Sequence, residues 1–280
     1  MGRFTIIAVA FLLAACRPGP APRVTSDPTP RPSDIPARAA DAVTGSAFIA
    51  AVAALPRDER EAAVLRELLA GNIPSFLRTL HTIRHTMTGA DGVVRTIAYE
   101  VMPDYLAIGS DEDFVRMPMN PYTAQAFCDA FGFVLPTRKM VNDIWQASSV
   151  RVDPHPLTVE REAAATFLQH HLIIEEQLAG ARRGALVGGI KKDVVVSNKL
   201  MERPNRVAIF GWHYPNGQPI QPLYAGHVDW YVDYSHGIRP VRREMRIDGA
   251  LRRFEEILDD PQLRNLLSDE GELTVRRYER

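Results

Sequence analysis

The sequence predicts an α+β fold, with N-terminal helices packed on a mostly antiparallel sheet formed largely by the second half. Helical periodicity dominates the first 180 residues, short strand-like segments separated by turn residues dominate the second half, and the two do not alternate regularly. Between Ser46 and Leu69 the apolar residues Phe48, Val52, Leu55, Val64, Leu65, Leu68 and Leu69 recur at helical spacing, with Pro56 dividing the run into two helices. Gly71-Asn72 ends the second, and 74–84 is expected to form another short helix. Residues 93–101 alternate as a strand does, and 104–109 as a second, shorter one.

Asn120-Pro121 supplies a capping side chain and a proline at the first helical position, so a helix is expected to run from there to Phe131 and stop at Gly132. Thr137 is placed to cap a helix carrying Met140, Val141, Ile144 and Trp145, and a longer helix is expected over 159–178. Strands are expected over 185–190, 193–196, 206–212 and 226–234, and helix again over 248–258 and 261–267. The charged last ten residues are expected to be loosely held.

The chain opens with Arg3, an apolar run from Phe4 to Leu13, and then Leu13-Ala14-Ala15-Cys16. A short cationic start, about ten apolar residues and a small-residue zone describe a signal peptide, too short to span a bilayer. Leu-Ala-Ala-Cys resembles the lipobox of bacterial lipoproteins. The resemblance implies that 1–15 are removed, that Cys16 is diacylated, and that the chain is anchored by lipid facing the extracytoplasmic space. Arg17, which is not Asp, implies passage to the outer membrane if the cell is Gram-negative. Between Arg17 and Pro36 lie seven of the chain's 21 prolines, so 16–38 reads as a semi-rigid tether ahead of one α+β domain over 39–280. A formal net charge of −1 gives no support for nucleic-acid binding. With Cys16 lipidated, Cys128 is the remaining thiol, and burial is its expected state.

The densest chemistry lies between Trp212 and Arg239. If 226–234 is a strand, His227, Asp229, Tyr231 and Asp233 share one face, and Val228, Trp230, Val232 and Tyr234 the other. His213 ends a neighbouring strand and His236 follows. A histidine beside a carboxylate suits general acid–base chemistry, while His213, His227, His236 and an Asp could hold a divalent metal, although no zinc-protease spacing is present. Trp212 is expected to contact substrate, as are Arg239 and Lys191 or Lys192 through its anionic groups.

Two local resemblances bear on other chemistry. The run His227-Val228 to Tyr231-Val232, with His236 beyond, resembles the histidine strand of NlpC/P60 thiol amidohydrolases. That family's nucleophilic Cys opens a helix, whereas Cys128 is expected inside one. Ala126-Phe127-Cys128 through Leu135-Pro136-Thr137 is similar to a step in formylglycine-generating-enzyme-like domains, but Arg138-Lys139-Met140 departs from that pattern and no residue is carried over. His81 and His85 are expected to be exposed, and His171 with Glu175 to form a surface pair.

The sequence therefore leads to the expectation of a lipid-anchored extracytoplasmic hydrolase. Its catalytic set would be His213, His227, Asp229, Tyr231, Asp233 and His236, acting on a cell-envelope polymer without an obligatory cofactor. The other class consistent with these residues is a non-catalytic envelope lipoprotein that binds a wall polymer or scaffolds a complex.

Overall fold

The computed structural model describes residues 24–27 and 34–280, so Cys16 and most of the proline-rich segment lie outside the described residues. The helices are α1 Gly45–Val52, α2 Arg57–Leu69, α3 Pro121–Ala130, α4 Arg138–Ala147, α5 Ala164–Gln177, α6 Lys199–Glu202 and α7 Phe254–Asp259. The strands of the first half are β1 Thr25–Asp27, β2 His81–Thr88, β3 Val94–Val101, β4 Ala107–Gly109, β5 Phe114–Arg116, β6 Phe133–Val134 and β7 Val150–Arg151. The second half adds β8 Val187–Gly188, β9 Lys192–Val195, β10 Ala208–His213, β11 Pro219–Tyr224, β12 His236–Gly237, β13 Val241–Arg242, β14 Glu244–Ile247 and β15 Ala250–Arg253. The fold is α+β with mostly antiparallel pairing, as the segment pattern requires.

Among the described residues, one sheet runs β1-β2-β3-β13-β6, with the β14–β15 hairpin joining it at β3. A second sheet, ordered β11-β10-β9-β12, carries the region of chemical interest. Its outer pair β9–β12 is parallel, aligning His236 with Lys192 and Gly237 with Asp193. β10 lies antiparallel to β9, with Gly211 opposite Lys192. All six residues of β10 are buried, as expected of a central strand covered on both faces.

The helix starts follow from their caps. The Asn120 side chain accepts from the backbone N–H groups of Tyr122 and Thr123, and Thr137 accepts from Met140. Pro56 precedes α2 and separates it from α1. The helix expected over 74–84 does not form. A single 3-10 turn covers Ser75–Arg78, and from His81 onward the Thr/Ile-rich alternation makes β2 instead. Asp248 and Gly249 have positive φ (51° and 85°) and turn the β14–β15 hairpin, so the helix expected from 248 begins only at Phe254.

Within the expected tether, Thr25–Asp27 pairs along Thr82–Arg84 of β2, and Ile35 is buried in the main core. The end of the chain is likewise held. Tyr278 is buried, and its hydroxyl donates to the Val195 carbonyl while accepting from the Ala208 N–H. The last residues thus clip β9 to β10 at their paired ends. A second clamp sets α5 against β5: buried Arg116 pairs with Asp104 at 2.6 Å and Glu175 at 2.8 Å, and donates to His171 Nδ1 at 3.2 Å. His171 and Glu175 therefore belong to an internal ion network and not to a surface pair.

A Tyr278→Phe substitution leaves the Ala208 N–H and the Val195 carbonyl without their shared partner. It is expected to lower the unfolding free energy by about 1–3 kcal/mol, read as a lower urea midpoint at unchanged slope.

Candidate functional site

The strand expected over 226–234 is absent. Between Tyr224 and His236 the chain runs as a loop whose pairing is a single bridge from Val228 to Arg206. The Tyr231 N–H turns back to the Val228 carbonyl at 3.0 Å, which breaks the two-residue alternation. The four polar residues therefore do not share a sheet face. Asp229 leaves the group and accepts a 2.6 Å hydrogen bond from the Tyr122 hydroxyl on α3.

The other three converge around Asp233. Its Oδ1 accepts from the Ser235 N–H at 2.8 Å and the Ser235 hydroxyl at 2.5 Å, and its Oδ2 from Arg161 at 2.5 Å and the Tyr231 hydroxyl at 3.2 Å. Burial would raise this carboxyl, but Ser235, Arg161 and Lys192 hold it well below the ordinary range, so it is an anion. Tyr231, raised to about 12 by burial and by that anion, keeps its proton.

Over this carboxylate sit two imidazoles. The half-buried His227 ring stacks on Tyr231 with centroids 4.4 Å apart, and fully buried His236 lies 6.2 Å from His227 and 5.8 Å from Tyr231. Burial lowers both, His236 to about 4, so both are neutral near pH 7. Both ring nitrogens of His236 are buried without a hydrogen-bond partner. Lys192, in register with His236 across the β9–β12 pair, extends its ammonium to 5.9 Å from the centre of the Trp212 ring. Trp212 is buried beside His170 and Tyr234 and has φ of 54°, a left-handed conformation that an aromatic residue adopts only when its surroundings hold it there.

The remaining expected residues lie elsewhere. His213 packs toward α4, stacked on Trp145 at 5.5 Å and donating to Asn142 at 2.9 Å. Lys191 is buried, its amine donating to the Tyr234 carbonyl at 2.5 Å and to His170 Nδ1 at 3.3 Å, and burial lowers it to about 7. Arg239 donates to the carbonyls of Met102, Pro103 and Val187 and lies over the Tyr105 ring, so its charge is spent on backbone. His81 and His85 are buried on β2, bonded to the Gly184 carbonyl at 2.8 Å and set 3.3 Å from Asp143. Cys128 is buried inside α3 and its thiol is pushed well up by burial, which removes the NlpC/P60-like arrangement.

Arg161 and Ser235 were not singled out by sequence. Arg161 sits ahead of α5, 72 residues from Asp233, and nothing local marks it. Ser235 carries a readable signal, since Asp-x-Ser is a turn in which the carboxylate accepts two residues ahead.

Among the described residues no group of three or more His, Cys, Asp or Glu side chains is arranged to hold a metal ion, and no helix is long and apolar enough to cross a membrane. A groove of about 950 Å³ lies between α2, α3 and the C-terminal residues. Tyr122 lines it, and its hydroxyl bonds to Asp229 of the loop.

Because His236 is lowered to about 4 from its ordinary 6.5, the unfolded chain takes up a proton below pH 6.5 that the folded chain refuses. Its contribution to stability is complete above pH 6.5 and is lost as pH falls toward 4. His85, His170, His171 and His213 act in the same direction. Asp193, raised to about 7 by burial, acts in the opposite one. A His236→Gln variant is expected to lose stability less steeply across this window, by up to about 1.4 kcal/mol per pH unit, measured by urea unfolding at several pH values.

A comparison with known proteins returned no matching family model, no matching curated protein and no matching solved structure.

Proposed function

We propose that the chain is a lipid-anchored extracytoplasmic hydrolase of a cell-envelope polymer, working at the His227–Tyr231–Asp233–His236 cluster. The observation that carries this reading is the pair of neutral imidazoles, centroids 6.2 Å apart, set against an ionised carboxylate that is itself fully hydrogen-bonded. A neutral imidazole is the form that accepts a proton, and half-buried His227 is the one a substrate can reach. In this mechanism His227 takes a proton from water as the water oxygen bonds to the electrophilic carbon of the polymer. The proton then passes to the leaving group as its bond breaks. Arg161, whose Nε has no protein partner, donates to the charge that develops on the substrate oxygen. Asp233 is a positioning residue, fixing Arg161 and Tyr231. No divalent metal is required by this scheme.

A second reading, a non-catalytic lipoprotein that binds a wall polymer, is favoured by a different observation. Neither His227 nor His236 hydrogen-bonds to Asp233, so the carboxylate does not set an imidazole tautomer as it does in a catalytic dyad. Tyr224, edge-on to His227, is 43% exposed, and Trp230, further along the loop, is 49% exposed with the Arg57 guanidinium 3.9 Å from its ring centre. Such a rim suits stacking on sugars.

Incubation of the full chain in mild detergent with purified sacculi separates the two. Release of fragments by the wild type and at least 100-fold less by His227→Ala supports the hydrolase. Sedimentation of both folded proteins with the wall, without fragments, supports the binder. The anchor is tested separately: the full chain is expected to fractionate with membranes, and Cys16→Ser to be released from them.

A further inference from the structure

Several hydrogen-bonding groups in the cluster have no protein acceptor. Lys192 Nζ has no carboxylate within 4.0 Å among the described residues, and burial lowers its affinity for a proton. Arg161 gives one nitrogen to Asp233, its side chain is 37% exposed, and its Nε has no partner. The half-buried His227 ring stacks on Tyr231 and meets Tyr224 edge-on but has no hydrogen bond.

The sheet geometry directs these groups together. Residues opposite one another across paired strands point to the same face, so Lys192 shares a face with His236. The Lys192 N–H is anchored on the Ser235 carbonyl at 2.8 Å, next to the Asp233 clamp. With the histidines neutral, the cluster holds two cations, Arg161 and Lys192, against one carboxylate, Asp233. Exposed Glu162 acts on Arg60 as well as on Tyr231 and is screened by solvent. Lys191 stands behind the cluster with its amine already occupied. A partly desolvated excess positive charge is costly unless an anion completes it.

We propose that the group seated against His227 is an oxyanion, a carboxylate or a phosphate carried by the polymer, bound by Lys192 and Arg161. This rests on the reading of the cluster as the substrate site and specifies which part of the substrate it holds. Lys192 and Arg161 would bind two of its oxygens by charge-assisted hydrogen bonds, and His227 would contribute a ring N–H.

The test is titration of the full chain, labelled with ¹⁵N-histidine in mild detergent, with inorganic phosphate in one arm and acetate in another, at constant ionic strength. A saturable shift of the His227 ring signal is expected, assigned by its loss in His227→Asn. Lys192→Gln should weaken it roughly tenfold or more, and Lys192→Arg should restore it. Arg161→Gln strips the counter-ion from buried Asp233 and is therefore not the primary variant. Saturation by phosphate alone assigns a phosphate, and saturation by acetate assigns a carboxylate. A shift that follows ionic strength only, or that is unchanged in Lys192→Gln, overturns the proposal. Wall fragments released by a protein showing no saturable shift would remove the oxyanion and leave the hydrolase. A saturable shift without fragments would do the reverse.

Discussion

The local architecture depends on a carboxylate that has no contact with water. Asp233 is fully buried and ionised, and two separate stretches of chain satisfy it: Arg161 ahead of α5, and its own 225–235 loop through Tyr231 and Ser235. A charge left unpaired at such a position costs about 3–5 kcal/mol, which is comparable to a large part of the net stability of an ordinary domain. Those stretches therefore cannot drift independently. The loop makes a single bridge, Val228 to Arg206, and its shape is set besides by the anion at its end, by the Tyr122–Asp229 contact at its side and by the bonds that tie Tyr234 to Arg161, Leu157 and Lys191 and Ser235 to Lys192.

Histidine is used in two distinct ways. Of the eight in the chain, His81, His85, His170, His171, His213 and His236 are buried. Most of these are polar spacers in the core, set against a carbonyl, a carboxylate, an arginine, a lysine or an amide. Among the described residues His236 alone has both ring nitrogens buried and unpartnered. Histidine density was thus a poor guide to the site, while the hydrogen-bond inventory of individual rings separates His236 from the rest.

Much of the fold could be read from local chemistry. Asn120 and Thr137 fix the starts of α3 and α4, and β9 and β10 form close to the strands expected over 193–196 and 206–212. The failures have physical causes. Around 226–234 the apolar residues Val228, Trp230 and Val232 alternate, yet the Tyr231-to-Val228 turn and the distant Tyr122 hydroxyl override the pattern. At Asp248-Gly249 two positive-φ residues make a hairpin turn, so the helix expected from 248 is displaced to Phe254. Part of the site was legible, since His227, Tyr231, Asp233 and His236 do come together. Arg161 was not, because an ion pair across 72 residues leaves no trace in local spacing. His213 failed for another reason. It follows Gly211 and Trp212, both at positive φ, where the regular strand geometry assumed for it is lost and its ring lies against α4.

Cys128, sealed in α3 with its thiol held in the protonated form, has a further consequence. A thiol reagent in the surrounding solution meets it only when the core around Phe127 and Phe133 opens, because the attacking species is the thiolate and the closed core supplies none. The rate at which this one sulfur is modified in native buffer therefore counts opening events of the interior. The molecule carries its own clock of breathing motions, set inside α3.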